Sequence, residues 1–183
     1  VIRSNRQGDI MVLLVAASDR LPEIPALIES LQKAVPGFRA LHLSVNRARS
    51  NVILGHSSRK LWGADTIEET LLGLTFEIAP LSFFQVNPDQ CERLYECAVR
   101  LAALQPEDVV VDAYAGAGTI SLCMAAKARR VIGIEIVPQA VEAARRNAAR
   151  NGIKNAEFHL GAVEDVLPEL VAQGLRPDAV LLD

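Results

Sequence analysis

Between residues 112 and 119 the chain reads Asp-Ala-Tyr-Ala-Gly-Ala-Gly-Thr, with an apolar run before it and helical spacing after it. Gly116 and Gly118 let the backbone come close to a ligand, and the start of the following helix offers free N–H groups. Glu135 closes the next apolar run. A carboxylate there can accept hydrogen bonds from both hydroxyls of a ribose, in dinucleotide and S-adenosylmethionine sites alike. The dinucleotide fingerprint wants a third glycine at position 121, where this chain has Ser121. Loop and acid together point to a nucleoside cofactor. The alternative is a purely structural turn, with Thr119 capping the helix, Tyr114 packing and Glu135 a solvated strand-end acid.

The other reactive residues point less clearly. Cys91, Cys97 and Cys123 lack the short paired spacing of a zinc or iron–sulfur site, so no metal is expected. They read as free, largely buried thiols, which fits a reducing cytoplasm.

The elements that must position the loop come next. Residues 109–111 are a fully apolar strand, followed by the glycine loop, a helix, and a strand at 131–135. A long helix at 138–151, a strand at 155–160, a helix near 164–173 and a strand at 179–182 follow. Strands alternating with helices predict βαβ units and a doubly wound parallel sheet. Upstream, Pro88 begins an amphipathic helix to about residue 103, with Leu94, Cys97, Ala98, Leu101 and Leu104 on one face.

Earlier still, residues 10–17 form a β-rich apolar run, and Ile24, Leu27, Ile28, Leu31 and Val35 mark a helix over 24–35. Short strands are expected around 40–46, 51–55 and 73–80. The fold class is therefore α/β: a small, mainly antiparallel α+β domain over residues 1–80, then a Rossmann-like parallel sheet over 81–183.

With 183 residues, half of them hydrophobic, eight aromatics and a net charge of −3, the chain is neither a disordered tail nor a disulfide-stapled module. No apolar run reaches the roughly 20 residues of a membrane helix, so no membrane partner is expected. The average charge hides a split. Residues 1–60 carry nine Lys and Arg against four Asp and Glu; residues 61–183 carry ten against eighteen. A basic front segment of this kind can mark a nucleic-acid-facing surface. The chain opens at Val1 without a methionine and stops at Asp183 after an apolar run, so a longer parent protein is expected.

The 112–119 loop, Gly133-Ile-Glu135 and the helix segment from Ala140 to Gly152, with Asn147 and Asn151, resemble the class I methyltransferase fold. The hexapeptide Ser82-Phe83-Phe84-Gln85-Val86-Asn87 is a sharper clue: it resembles the RNA (uracil-5-)-methyltransferase family, which acts on ribosomal and transfer RNA. Asn51-Val-Ile-Leu-Gly55 and Gly63 also match that family's central domain. The resemblance implies the first four strands of the methyltransferase sheet, S-adenosyl-L-methionine as cofactor, and RNA rather than DNA as partner, with 23S ribosomal RNA the leading target. It assigns cofactor contacts to Gln85, Tyr114, Thr119, Glu135 and Asp183, with Gly116 and Gly118 shaping the loop under the methionine portion. The chain departs from the family at Ala115, where cysteine is usual. It departs again at Ala162, where Asp or Asn usually addresses the adenine.

In the mechanism this resemblance implies, a cysteine thiolate adds to carbon 6 of uracil and makes carbon 5 enolate-like. Carbon 5 takes the sulfonium methyl, and a base then removes its proton so that the cysteine leaves. The target base must leave its RNA stack to be reached. The family's nucleophilic cysteine and catalytic glutamate lie beyond the position of Asp183, so the chain as given is expected to hold no catalytic residue. The basic segment, with Arg39, Arg47, Arg49, Arg59 and Lys60, falls in the domain that faces RNA in this family.

Overall fold

A computed structural model describes residues 1–48 and 52–182 of the chain. The elements in order are β1 (Ile2–Ser4), β2 (Ile10–Ala16), α1 (Ile24–Ala34), β3 (Phe38–Val45), β4 (Ser58–Gly63), β5 (Ile67–Leu71) and β6 (Leu74–Ile78). They continue as α2 (Pro88–Ala102), β7 (Val109–Asp112), α3 (Thr119–Ala125), β8 (Arg130–Glu135), α4 (Pro138–Arg150), β9 (Ala156–Leu160), α5 (Val163–Ala172) and β10 (Ala179–Leu181). The chain divides into two compact units. One comprises Val1–Glu69 with Glu77–Ser82; the other comprises Thr70–Phe76 and everything from Phe83 onward. Among the described residues no helix is long and apolar enough to cross a membrane.

The first unit holds a four-stranded sheet in the order β1-β2-β3-β4. The pairs β1–β2 and β3–β4 are antiparallel, but β2 and β3 run parallel, Val12 opposite Leu41 and Leu14 opposite Leu43. This qualifies the mainly antiparallel expectation: α1 is a crossover helix, and a crossover is what lets consecutive strands pair in parallel. Met11, Leu13, Leu41 and Leu43 form the buried centre, while α1 buries no residue fully. The strand expected over 51–55 is corrected. Residues 52–55 form no strand, the next strand begins at Ser58, and Asn51 lies outside the described residues.

Strand β5 was not anticipated. It pairs with β6 through the two-residue turn Leu72-Gly73, where φ is 50° at Leu72 and 79° at Gly73. Two left-handed residues in a tight hairpin suit the right-handed twist of the strands, and Asn-Gly or Asp-Gly is the usual sign of them. Leucine in that position carries no such signal.

The second unit is built on an all-parallel sheet in the order β10-β7-β8-β9. Side chains alternate across it as the pleat requires. Val109, Val111, Ile132 and Ile134 face Val163, Val166 and Leu170 of α5. Val110 and Val131 face the other way, against Met124 and Ala125 of α3 and Ala98 and Ala102 of α2. The face of α2 is thus corrected in part: Ala98 and Leu104 pack on this core as expected, and Leu94 and Leu101 do not. Cys91 and Tyr95 are its buried residues, whereas Leu94 and Leu101 are 58% and 76% exposed. The small residues at 91, 98 and 102 permit close approach to α3, and they displace the leucines that a pattern of large apolar residues would choose. Chain order runs β7, β8, β9 outward and then returns to β10 beside β7. The order therefore reverses between β7 and β10, and crevices at the carboxyl ends of such strands are where open α/β sheets hold ligands.

Candidate functional site

Strand β7 ends on Asp112, and the loop leaves it at the reversal point, where the Ala113 N–H still donates to Leu181 O of β10. Ala113, Ala115 and Ala117 are buried, and the Ala115 N–H donates to Ile134 O at 3.0 Å. Small side chains press the loop onto the end of β8. Gly116 and Gly118 have φ of 53° and 77°, a region costly for residues with a Cβ. They differ in what surrounds them. A Cβ on Gly116 would meet nothing within 4 Å, so open space lies on its outer side. A Cβ on Gly118 would stand 2.9 Å from the Phe158 ring and 3.0 Å from Ala144 Cβ.

Phe158 also fills the space beside Gly133, its register partner, where an added Cβ would fall 2.5 Å from the ring. The loop therefore rests on one buried phenylalanine that two glycines admit.

Glu135 ends β8 and closes the constellation. Its Oε2 accepts the Gly116 N–H at 2.9 Å and its Oε1 accepts the Val137 N–H at 2.8 Å. A carboxylate has about four acceptor positions, so two bonds leave capacity for further donors. Thr119 is the first residue of α3, and its hydroxyl lies 2.7 Å from Tyr95 OH. Gly118 is the cap residue and no side chain caps this helix, so Thr119 does not cap it. Burial drives the Tyr95 phenol well above its ordinary pKa, so it stays protonated and able to donate.

Tyr114 projects from the loop, 49% exposed. Gln85 is half-buried in the segment before α2. That segment is anchored on both sides: Phe84 is buried with its ring centroid 6.5 Å from that of Phe76, and Asn87 Oδ1 accepts the Gln90 N–H at 3.0 Å. Phe83 lies exposed. The structure thus bonds Gly116 to Glu135 and places Gly118 and Thr119 next to it in the same turn, where the Thr119 hydroxyl meets Tyr95 instead. It gives Gln85 no side-chain bond to the loop. Asp183 lies outside the described residues. Ala162 stands before α5 and makes no side-chain cap there.

Several participants were missed in the sequence. The Ser121 hydroxyl donates to Asp112 Oδ2, both groups fully buried, so the residue that breaks the dinucleotide fingerprint holds the acid ending β7. An acid closing the run Val-Val-Val was the available signal. Tyr95 and Phe158 gave none, since their partners lie far off in sequence, while Asn147, part of the helix motif quoted above, donates to Ala117 O at 3.0 Å. An open groove of about 870 Å³ runs along the free side of β9, lined by Arg145, Ile153, Leu160 and Leu170 among others, and no residue of the glycine loop lines it.

On the first unit, the basic residues are partly engaged. Arg39 pairs with Asp9 at 2.6 Å and Lys60 with Asp65 at 2.7 Å. Arg47 and Arg59 instead donate to the carbonyls of Ala17 and Asp19, in the loop after β2. Arg49 lies outside the described residues.

Comparison with known proteins adds the following. Residues 104–183 match the family model described as "Methyltransferase domain". The chain is 44% identical over 175 residues to a protein of Oceanobacillus iheyensis named as an uncharacterized RNA methyltransferase, covering 96% of this chain and 38% of that protein. A protein of the same description from Lactiplantibacillus plantarum is 43% identical over 183 residues, covering 100% of this chain and 40% of the relative. In structure, the chain is similar to the Pyrococcus abyssi tRNA (uracil-54, C5)-methyltransferase solved with S-adenosyl-L-homocysteine. There the TM-score is 0.71 at 30% identity, over 88% of this chain and 38% of the other. The chain therefore spans about two fifths of the length of the relatives it matches. The α/β architecture with its parallel sheet is the Rossmann-like fold of methyltransferases.

Proposed function

We propose that this chain binds S-adenosyl-L-methionine on the 112–119 loop and belongs to a longer enzyme that methylates carbon 5 of uridine in RNA. The observation that carries the cofactor part is the carboxylate of Glu135, fixed by the Gly116 and Val137 amides at the end of the sheet. Its remaining lone pairs suit two ribose hydroxyls, which a dinucleotide site and this one share. The open side of Gly116 leaves room for the rest of the ligand, and Ser121, committed to Asp112, favours S-adenosylmethionine over a dinucleotide. Gly116 and Gly118 would lie under the methionine portion, with Gln85, Tyr114, Thr119 and Asp183 as its further contacts. When bound, the cofactor supplies an electrophilic methyl group on a sulfonium sulfur.

The uridine part rests on the likeness to the Pyrococcus abyssi enzyme and to relatives named as RNA methyltransferases. Nothing among the three cysteines offers the nucleophile that this chemistry needs. Cys91 is buried, Cys97 sits half-buried on α2, and burial pushes the Cys123 thiol up to about 12. A thiol at that value is protonated at neutral pH and a poor nucleophile. The nucleophile and base are accordingly assigned to the part of the enzyme outside this chain. Arg47 and Arg59 each retain guanidinium donors and are offered as contacts to RNA phosphates. With RNA as the substrate, a cytoplasmic location is part of the same proposal.

The reaction is tested with the full-length protein that contains this chain, S-adenosylmethionine labelled in its methyl group, and ribosomal and transfer RNA as separate substrates. Digestion to nucleosides should return the label in 5-methyluridine from one of the two RNAs. Label in 5-methylcytidine, in a methylated purine or in protein would overturn the uracil assignment.

A further inference from the structure

The short segment Leu71 to Phe76, the turn of the β5–β6 hairpin, is part of the second unit and is bonded within it at several points. The Leu72 N–H, on a residue held at φ 50°, donates to Glu92 Oε1 at 2.8 Å. Glu92 lies on α2 three residues before Tyr95, and Tyr95 holds the hydroxyl of Thr119.

A second tie runs through α4. Thr75 gives its N–H to Asn151 Oδ1 at 2.9 Å, and its carbonyl accepts from Asn151 Nδ2 at 2.7 Å. The same Nδ2 donates to the carbonyl of Asn147 at 2.8 Å. Asn147, fully buried one turn earlier on α4, donates from its own Nδ2 to Ala117 O at 3.0 Å. Ala117 lies between the two loop glycines.

The third tie is apolar. Phe76 is fully buried with its ring against that of Phe84, the neighbour of Gln85. Three separate routes thus lead from one six-residue segment to Thr119, to Ala117 and to the Gln85 loop. None of the three leads to Glu135.

We infer that the segment Leu71 to Phe76 is a positioning element for the methionine side of the cofactor site, acting through Glu92 and Asn151. This rests on the cofactor reading above and adds a role to residues that touch no ligand. Half-buried backbone groups such as those of Leu72 and Thr75 shift toward another partner when they lose one, and the helices that carry Tyr95 and Asn147 shift with them. The ribose end is less affected, because Glu135 is also held by the Val137 amide, which lies outside the glycine loop. The ligand affected is therefore the one with a methionine portion.

The test compares S-adenosylhomocysteine with adenosine by calorimetric titration into the 183-residue chain and its variants Asn151→Ala, Glu92→Ala and Glu92→Gln. Asn151→Ala and Glu92→Ala should each weaken S-adenosylhomocysteine by about tenfold and adenosine by no more than about twofold. Glu92→Gln keeps an acceptor oxygen for the Leu72 amide and should restore most of the affinity. Should Asn151→Ala fail to fold, the two Glu92 variants carry the comparison. If folded Glu92→Ala binds S-adenosylhomocysteine as the parent chain does, or if both ligands weaken equally, the positioning role is overturned while the cofactor reading stands. If the parent chain binds no S-adenosylhomocysteine at millimolar concentration, the cofactor reading itself has failed, and the inference with it.

Discussion

Replacing Glu135 with alanine should weaken S-adenosylhomocysteine binding by roughly 10- to 150-fold, the equivalent of about 1.5–3 kcal/mol for lost hydrogen bonds to a charged group. The loss has two sources. The ribose hydroxyls lose their acceptor, and the Gly116 and Val137 amides lose theirs, so the loop is no longer held to the end of β8. Glutamine at 135 separates the two. It retains one carbonyl oxygen, but its amide nitrogen must face either the Gly116 or the Val137 N–H, donor against donor. Its affinity should fall between those of the parent and Glu135→Ala. Calorimetric titration with circular dichroism as a check of folding decides the matter. Binding within threefold of the parent in Glu135→Ala would make Glu135 an ordinary strand-end acid.

Phe158→Ala should lower the unfolding free energy by about 3–5 kcal/mol, as deletion of a buried aromatic ring does when the surroundings relax only in part. Here the ring is the floor of the glycine loop: it lies against Gly118, Gly133 and, through Gly133, the Ala115 methyl. The ring occupies the space a Cβ would take at both glycines, and Gly118 is held besides by its φ of 77°. Gly133→Ala alone forces a methyl to within 2.5 Å of the ring and should be strongly destabilising. In a Phe158→Ala background the clash with the ring is gone but the Ala115 methyl still stands 2.8 Å from the added Cβ, so the cost should shrink without vanishing. Urea unfolding of the four proteins in this cycle measures the coupling. Additive effects would show that the ring and the glycine do not share one space.

What could be read from the sequence follows from how local each signal is. The parallel sheet was legible because Val109 to Val111 and the alternating helices and strands carry their periods in consecutive residues. The glycine loop and Glu135 were legible for the same reason. The hairpin at Leu72-Gly73 was not, since its turn uses leucine where asparagine or aspartate would signal a left-handed residue. The buried face of α2 was misread in part because packing against α3 selects small residues, a choice made by a neighbour 20 or so positions away. Thr119 was open to two readings, a cofactor contact or a cap. Its true partner is Tyr95, 24 residues earlier, and no local pattern announces it. The basic front segment was visible as a charge excess, but only coordinates separate Arg39 and Lys60, which pair with acids, from Arg47 and Arg59, which hold backbone carbonyls. Asp112 and Ser121 show the same limit within the loop itself. Each was read as an isolated residue, and the bond between them is what gives Ser121 its place.

The measurement that bears most directly on the cofactor site is titration of the ¹⁵N-labelled chain with S-adenosylhomocysteine, followed through its backbone amides. Gly116, Gly118 and Val137 should show the largest saturable shifts, because their N–H groups line or brace the ligand's seat. Amides that stay unmoved at millimolar ligand, or shifts gathered along the groove beside β9 at Lys154, His159 and Leu160, would contradict it.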